Sequence, residues 1–563
     1  MEQQRNLILA IVISVAILFG FQFLFPSPKA PVTTPAQTSA TTPAPGGVIP
    51  GAPAAAPLTM KSRPELIADS PRVTIENPRM KGSINLVGGR LDDIILSTYK
   101  ETTHADSAPV SLLQPVGMSD AYFAETGWSA EGLPADQLPG NATRWTADRD
   151  KLTPEQPVTL SWDNGQGLKF LRQYSVDKDF MITVSQRVEN TGSATVTLYP
   201  YAFISRTGTP HTQDFFILHE GLIGVLNGTL QEYKYSKLKE EATKTDTTTG
   251  GWLGITDKYW LVALAPDQSE QVKTTFRHTL SNGDKWQVDY LGSARALAPG
   301  GSVESAHRIF AGAKEVKLLQ RYQDELKITD FDKAVDWGYF WFLTKPIFAL
   351  MNLLHGLVGN FGVVILLLTV IIKAIFFPLA NRSYVMMSKM KKLTPKMQEL
   401  KEKYGDNREK MNQELMGLYK REKVNPVSGC LPILLQIPVF FSLYKVLFVT
   451  IEMRHQPFFG WIHDLTAPDP TTIANLFGLI PWNPPAFLML GAWPLIMGVT
   501  MFLQQRLNPQ PTDPIQAKMF MIMPVVFTFM LASFPAGLVI YWSWNNLLSI
   551  AQQWVIMKRQ GVA

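Results

Sequence analysis

Hydrophobic and polar positions follow three different patterns along this chain. The first is a single apolar run over residues 7 to 25, in MEQQRNLILAIVISVAILFGFQFLF, behind one basic residue. A cleaved signal peptide is the alternative. Against it, the run exceeds a usual signal core and no A-x-A-like site follows. The expectation is a retained transmembrane anchor over 1–25, with its amino end in the cytoplasm. Residues 26–60 are rich in Pro, Ala and Thr (PAQTSATTPAPGGVIPGAPAAAP) and cannot build a core. They read as a flexible linker.

From 61 to 325 the period is that of strands. The stretch LKFLRQYSVDKDFMITVSQRVENTGSATVTLYPYAFISR, residues 168 to 206, holds β-branched and aromatic residues in short runs separated by DKD and NTG. Those separators fit turns between strands. Residues 73 to 99 repeat the pattern, and no long amphipathic helix is expected before about 306. Strand after strand with Gly, Asn and Asp turns predicts a large β-sandwich.

The third pattern begins near 333. KAVDWGYFWFLTKPIFAL, residues 333–350, mixes aromatics with Lys333, Asp336 and Lys345 and predicts a helix along the membrane interface, with Trp337 and Trp341 at headgroup level. Candidate spans follow at about 358–380, 429–449, 484–503, 519–534 and 536–556, each close to the length a bilayer needs. Pro535 and Gly537 mark a tight turn between the last two. Within the intervening loop, Met386, Met390, Leu393, Met397, Leu400 and Tyr404 recur at spacings of 4, 3, 4, 3 and 4. That is one apolar stripe on a helix. A turn at 405–407 and a second stripe from Met411, Leu415 and Leu418 complete a helical hairpin over 384–423.

Charge placement orients these elements. The loop 381–425 holds 12 Lys/Arg against 6 Asp/Glu, whereas 451–483 holds one Arg against one Glu and two Asp. Basic residues gather on the cytoplasmic side of a membrane protein. Both termini and the hairpin are therefore expected inside, and the β domain outside. The hairpin is either a solvated linker or a docking arm. As an arm, its basic face, with Lys391 and Lys392, would meet RNA or anionic lipid, and its methionines would offer an adaptable apolar surface.

Composition removes other chemistry. The net charge of +5 on 563 residues is weak by itself, and the single cysteine, Cys430, excludes an intrachain disulfide and a cysteine-based metal cluster. His211, Asp214, His219 and Glu220 lie in HTQDFFILHE but match no metal or acid–base spacing. No phosphate-cradling loop or nucleophile elbow appears. No enzyme, cofactor or metal site is expected.

One charge stands out. Lys373 lies in LLLTVIIKAIFFPL, residues 366–379, where hydrocarbon penalises a cation by several kcal/mol. It lies nine residues before Arg382, roughly 14 Å deeper at 1.5 Å per residue. Two readings stay open. The side chain could snorkel toward water, or it could face a water-filled cavity inside the bundle. Thr369 shares its helical face four residues earlier. Gln436 interrupts a second span, and Ser543, Asn545 and Asn546 interrupt the last. No acidic residue lies deep in a late span to neutralise the lysine. That disfavours an ion-pair lock and suits a solvated positive site that attracts acidic segments entering the membrane.

The ordered series KAIFFPLANRSYVMMSKM, KMQELKEKYGDNREKMNQELMGLYKREKVNPVSGCLPILLQIPVFFSLY, WIHDLTAPDP and FMIMPVVFTFMLASFPAGLVIYWSWNNLLSIAQQW resembles the YidC/Oxa1/Alb3 family of membrane protein insertases in its Gram-negative form. The likeness covers most of 330–557. It implies a polytopic α-helical protein with a five-helix insertase core over 330–557, an N-terminal anchor and a large periplasmic β-sandwich over 61–325, placed in the cell inner membrane. It implies a hydrophilic, positively charged substrate groove at Lys373, where many relatives carry arginine. It also places Gln436 in that groove and Tyr541 and Trp542 near the substrate's path; Thr369, Ser543 and Asn546 are candidate groove residues from their polarity. The function implied is insertion and folding of nascent membrane proteins, alone or with the Sec translocon (SecYEG and SecDF). Translating ribosomes and membrane lipids are further expected partners, and no DNA is. The alternatives are a small-anion transporter or channel, for which no internal repeat is found, and an assembly scaffold.

Overall fold

The structure, a computed structural model, describes residues 61–561 apart from 213–217, 281–282, 405–406, 425–430, 481, 483, 486–488 and 509–513. The anchor over 1–25 and the linker up to 60 lie outside the described residues.

Alternation becomes strand where it was read. Leu168–Val176, Met181–Asn190 and Val196–Thr207 are consecutive strands, and Leu168, Phe170, Arg172, Tyr174 and Val176 are all buried while the residues between them are not. This period of two puts one set of side chains on the core face. The turn residues do the expected work. Asp177 Oδ1 accepts from the backbone N–H groups of Asp179 and Met181, and Asn190 Oδ1 accepts from that of Gly192.

Among the described residues, the strands form one sheet of eleven and one of nine. In the first, Val196–Thr207 pairs antiparallel with Tyr122–Glu131 and Asp284–Leu291. In the second, Met181–Asn190 lies between Leu168–Val176 and Ser302–Ala313, also antiparallel. Trp252, Trp286, Tyr174, Phe170 and Phe310 are fully buried in the shared core. Each large apolar side chain removed from water contributes roughly 1.5–3 kcal/mol.

Among the described residues, one short helix, α1 (Arg63–Ala68), precedes the first strand, and another, α2 (Tyr235–Glu241), interrupts the β region. The first longer helix is α3, Val316–Leu326, ten residues beyond the expected 306. The interval belongs to the strand Ser302–Ala313, whose pairing with two neighbours outweighs local propensity.

The helical half contains α4 (Trp341–Val358), α5 (Phe361–Tyr404), α6 (Arg408–Arg421), α7 (Leu431–Val449), α8 (Ala492–Leu507), α9 (Pro514–Leu531) and α10 (Ala536–Arg559). The helix expected at 333–350 is displaced to α4. Asp332, in a single 3-10 turn over Phe331–Ala334, and Asp336, in the loop after it, are held by Lys345 and Lys445, at 2.7 and 2.6 Å. Trp337 is consequently buried against Phe348 rather than presented at a surface, while Trp341 is exposed. The expected span at 358–380 and the first arm of the hairpin are one helix of 44 residues, α5. Pro378 and Pro395 lie inside it without ending it, as prolines that kink rather than terminate do. Helix α8 starts at Ala492, later than 484, where the Thr471 hydroxyl and the Asp469 carboxylate accept its first backbone N–H groups, those of Ala492 and Trp493. Pro535 caps the start of α10 at the expected tight turn. By length and apolarity alone, α4 and α5 can cross a bilayer, and Gln436–Val449 and Ala517–Leu531 are shorter apolar stretches.

Candidate functional site

Helices α5, α7 and α10 bring a small polar group together inside an otherwise apolar bundle. Lys373 Nζ donates to Ser549 Oγ at 2.6 Å. The serine hydroxyl in turn donates to the carbonyl of Asn545, one turn earlier on α10, at 2.8 Å. A hydroxyl has one proton to give, so its lone pair receives the ammonium. Among the described residues, no carboxylate pairs with Lys373. Beside it, the Gln436 amide on α7 donates to the Tyr541 hydroxyl on α10.

A pocket of about 30 Å³ opens against Lys373, lined by Ile372, Phe376, Leu379, Ala380, Tyr384 and Gln436. That volume holds roughly two waters. An ammonium with three donors, one of them on Ser549, can use such waters for the others. The site is thus a cation held by a neutral hydroxyl at the edge of a small space with room for water. It can attract a negative or strongly polar group without first breaking an ion pair.

The residues singled out from sequence divide into two sets. Lys373, Gln436 and Tyr541 lie in this group. Thr369 is buried, but its hydroxyl returns to the Ile365 carbonyl of its own helix, at 2.7 Å. Ser543 does the same to Val539, at 2.8 Å. Asn546 donates to Thr500 Oγ1 on α8, at 3.3 Å, and joins two helices there. Trp542 packs edge-on against Phe440 and tilted against Phe527, between α7 and α9. Sequence reasoning missed Ser549 and Tyr384. A signal existed for the second, because eleven residues after Lys373 is just over three full helical turns, on the same face.

The hairpin uses its stripe on itself. Leu393 and Leu418 are buried, and Met386, Met390, Met397, Leu400, Tyr404, Met411 and Leu415 are half-buried. Tyr419 donates to Met397 Sδ at 3.7 Å, and Lys396 pairs with Glu422 at 2.9 Å. Lys391 is half-buried and Lys392 exposed; the exposed methionine is Met416. Asn407 caps α6 by accepting from the Lys410 N–H. The turn at 405–406 lies outside the described residues.

In the β domain, His219 is buried, contacts the Leu222 carbonyl at 3.0 Å, and burial holds its imidazole down at about 4. Glu220 accepts from the Lys258 N–H at 3.2 Å, His211 is exposed, and Asp214 lies outside the described residues. Among the described residues, no three His, Cys, Asp or Glu side chains gather closely enough to hold a metal.

Two family models cover nearly all of this half-β, half-helical chain. The YidC periplasmic domain matches residues 72–350, and the 60Kd inner membrane protein matches 353–562. The chain is 52% identical to the membrane protein insertase YidC of Beijerinckia indica, over 100% of this chain and 97% of that protein. It is 49% identical to its counterpart in Methylobacterium sp. (strain 4-46), over 100% and 96%, and 50% identical to that of Rhizobium meliloti, over 100% and 97%. A β-sheet domain on the periplasmic side, a membrane-embedded helical region and full-length identity converge: the chain belongs to the YidC/Oxa1/Alb3 family of multi-pass inner-membrane insertases and chaperones, in its Gram-negative form, whose work is not enzymatic catalysis.

Proposed function

We propose that Lys373 supplies the charge of a substrate-receiving groove, with Gln436, Ser549 and Tyr384 as its immediate surroundings and Tyr541 joined to them through Gln436. The observation that carries this reading is the lysine's neutral partner: its ammonium contacts the Ser549 hydroxyl, not a carboxylate. An incoming polar flank exchanges with that hydroxyl and the pocket's water, so the cation never has to leave a counter-ion. The wet, positive site lowers the cost of drawing a polar segment partly into the membrane. The adjoining apolar segment then leaves sideways into lipid, and its removal from water drives the step. Trp542 and Asn546 act in this scheme by holding the helices that frame the path, while the Thr369 and Ser543 hydroxyls turn back to their own helices.

In the same reading, α5, α7, α8, α9 and α10 form a five-helix core over 330–557, with an anchor over 1–25 and a periplasmic domain over 61–325. Both termini and the α5–α6 hairpin lie in the cytoplasm, supported by the excess of basic residues in 381–425. The hairpin's lysines and Met416 meet the translating ribosome or anionic lipid, and the Sec translocon joins for larger substrates. The test is reconstitution in liposomes with a short membrane protein as substrate, comparing the native chain, Lys373→Ala and Lys373→Glu. Insertion should fall with alanine and fall further with glutamate for a substrate with an acidic flank. Equal insertion by all three would remove the groove charge from the mechanism.

A further inference from the structure

Between Asp469 and helix α8 lies a loop whose base is built and whose tip is bare. Asp469 Oδ1 accepts from Trp461 Nε1 at 3.1 Å and from the Thr471 N–H at 3.0 Å, while its Oδ2 accepts from the Trp493 N–H at 2.9 Å. Thr471 Oγ1 accepts from the Ala492 N–H at 3.0 Å, and Ile473 N–H donates across the neck to the Leu490 carbonyl at 3.0 Å. These bonds satisfy the free amides at the start of α8 and fix where the loop leaves it.

The tip has the opposite character. Leu476, Phe477, Leu479, Ile480 and Trp482 are exposed, Leu479 by 84%. Leu476 and Phe477 adopt left-handed backbone, with φ of 50° and 58°, a conformation that disfavours side chains of this size. The stretch from 470 to 491 contains no Asp, Glu, Lys or Arg. An exposed patch of this kind marks a contact surface. Its continuation identifies the partner: α8 begins at the loop's base, and its own exposed Ile496, Val499, Phe502 and Leu503 extend the apolar surface along a membrane-embedded helix. A protein-docking patch is ordinarily rimmed by charge, whereas a tryptophan beside aliphatic tips suits the headgroup–acyl boundary.

We infer that this loop is a lipid anchor, with Leu476, Phe477, Leu479, Ile480 and Trp482 seated in the headgroup–acyl boundary of the leaflet facing the β domain. It fixes the depth of α8, and through it of α10, which α8 contacts by the Thr500–Asn546 hydrogen bond.

The test uses the full chain in liposomes, with Cys430→Ser removing the native thiol and a nitroxide attached at Leu479→Cys. Thr191→Cys, exposed in the β domain, is the aqueous reference, and Val499→Cys is the lipid reference. Collision with lipid-soluble oxygen and with a water-soluble nickel chelate is read from spin relaxation. The expected result is an oxygen-to-nickel ratio at 479 well above that at 191 and approaching that at 499. A ratio equal to that at 191 places the tip in water and overturns the anchor. Low accessibility to both reagents means that protein covers it, whether a second copy or a substrate segment, and overturns it equally.

Discussion

Glu452 Oε1 accepts the backbone N–H of Val316 at 3.0 Å, across 136 residues. Val316 is the first residue of α3, and the preceding Glu315 makes no side-chain cap because it is engaged by Arg79 and Tyr99. A carboxylate from the turn after α7 therefore satisfies a helix start that belongs to the β domain. Lys258 Nζ, over the Phe448 ring at 3.7 Å, joins the same two halves.

Burial pushes the Glu452 carboxyl up to about 7 from its ordinary 4.5, Glu315 adds repulsion, and the Val316 N–H and Lys317 oppose the rise. The folded protein then binds this proton more tightly than the unfolded chain. Its stabilising contribution is complete below about 4.5 and is lost as pH rises through about 7. Thermal unfolding in detergent should give a lower midpoint at pH 8 than at pH 6. Glu452→Gln keeps the acceptor for Val316 and removes the titration, so it should shrink that difference. An unchanged difference would assign the pH dependence to other groups.

Lys373 and Ser549 should differ in how replaceable they are. Ser549→Ala removes a hydroxyl beside a pocket that already admits water, so insertion should fall by no more than about twofold, given that bridging water costs little. Ser549→Val fills the space as well and should fall further. Lys373→Arg keeps the charge but carries a wider head, and should retain more insertion than Lys373→Ala. Rates of insertion into liposomes for these four variants give the order, and Ser549→Ala as severe as Lys373→Ala would contradict it.

The hairpin's two kinds of apolar residue separate in the same way. Leu418 is buried in the seam between α5 and α6, whereas Met416 on the same helix is exposed. Leu418→Ala should destabilise the hairpin by about 2 kcal/mol, the low end for a buried leucine because the seam is thin. Met416→Ala should cost under about 0.5 kcal/mol. Protease cleavage rates within 384–423 of the full-length protein measure both.

Gly498 on α8 leaves no room for a side chain, since an added Cβ would lie 2.2 Å from Thr528 Oγ1 on α9. Small residues of this kind let membrane helices approach closely. Gly498→Ala should therefore lower stability by about 1–3 kcal/mol. Combining it with Thr528→Ala should recover part of that loss, a coupling that a double-mutant cycle in detergent detects. Additive effects would mean that the helices can move apart freely.

Much of this architecture was legible locally. The turn residues Asp177 and Asn190, the apolar stripe from Met386 to Tyr404 and the turn at Pro535 depend on neighbours a few positions away, so their periodicity and turn chemistry predict them. The isolation of Lys373 among apolar residues was equally plain. Its surroundings were less so: of the polar residues in the neighbouring spans, Gln436 lines its pocket and bonds Tyr541, while Asn546 faces α8 and Thr369 bonds its own backbone.

By itself, the sequence determined that a strand-rich region gives way to a helical one, where the charge asymmetry lies, and that one cation is embedded in an apolar helix. Only the tertiary structure decided that this cation rests on Ser549, that Trp337 is buried, and that Glu452 caps Val316. The physical reason is separation along the chain. Periodicity records which face of a helix is apolar, but the rotation and depth at which helices pack depend on side chains from distant segments meeting at close range.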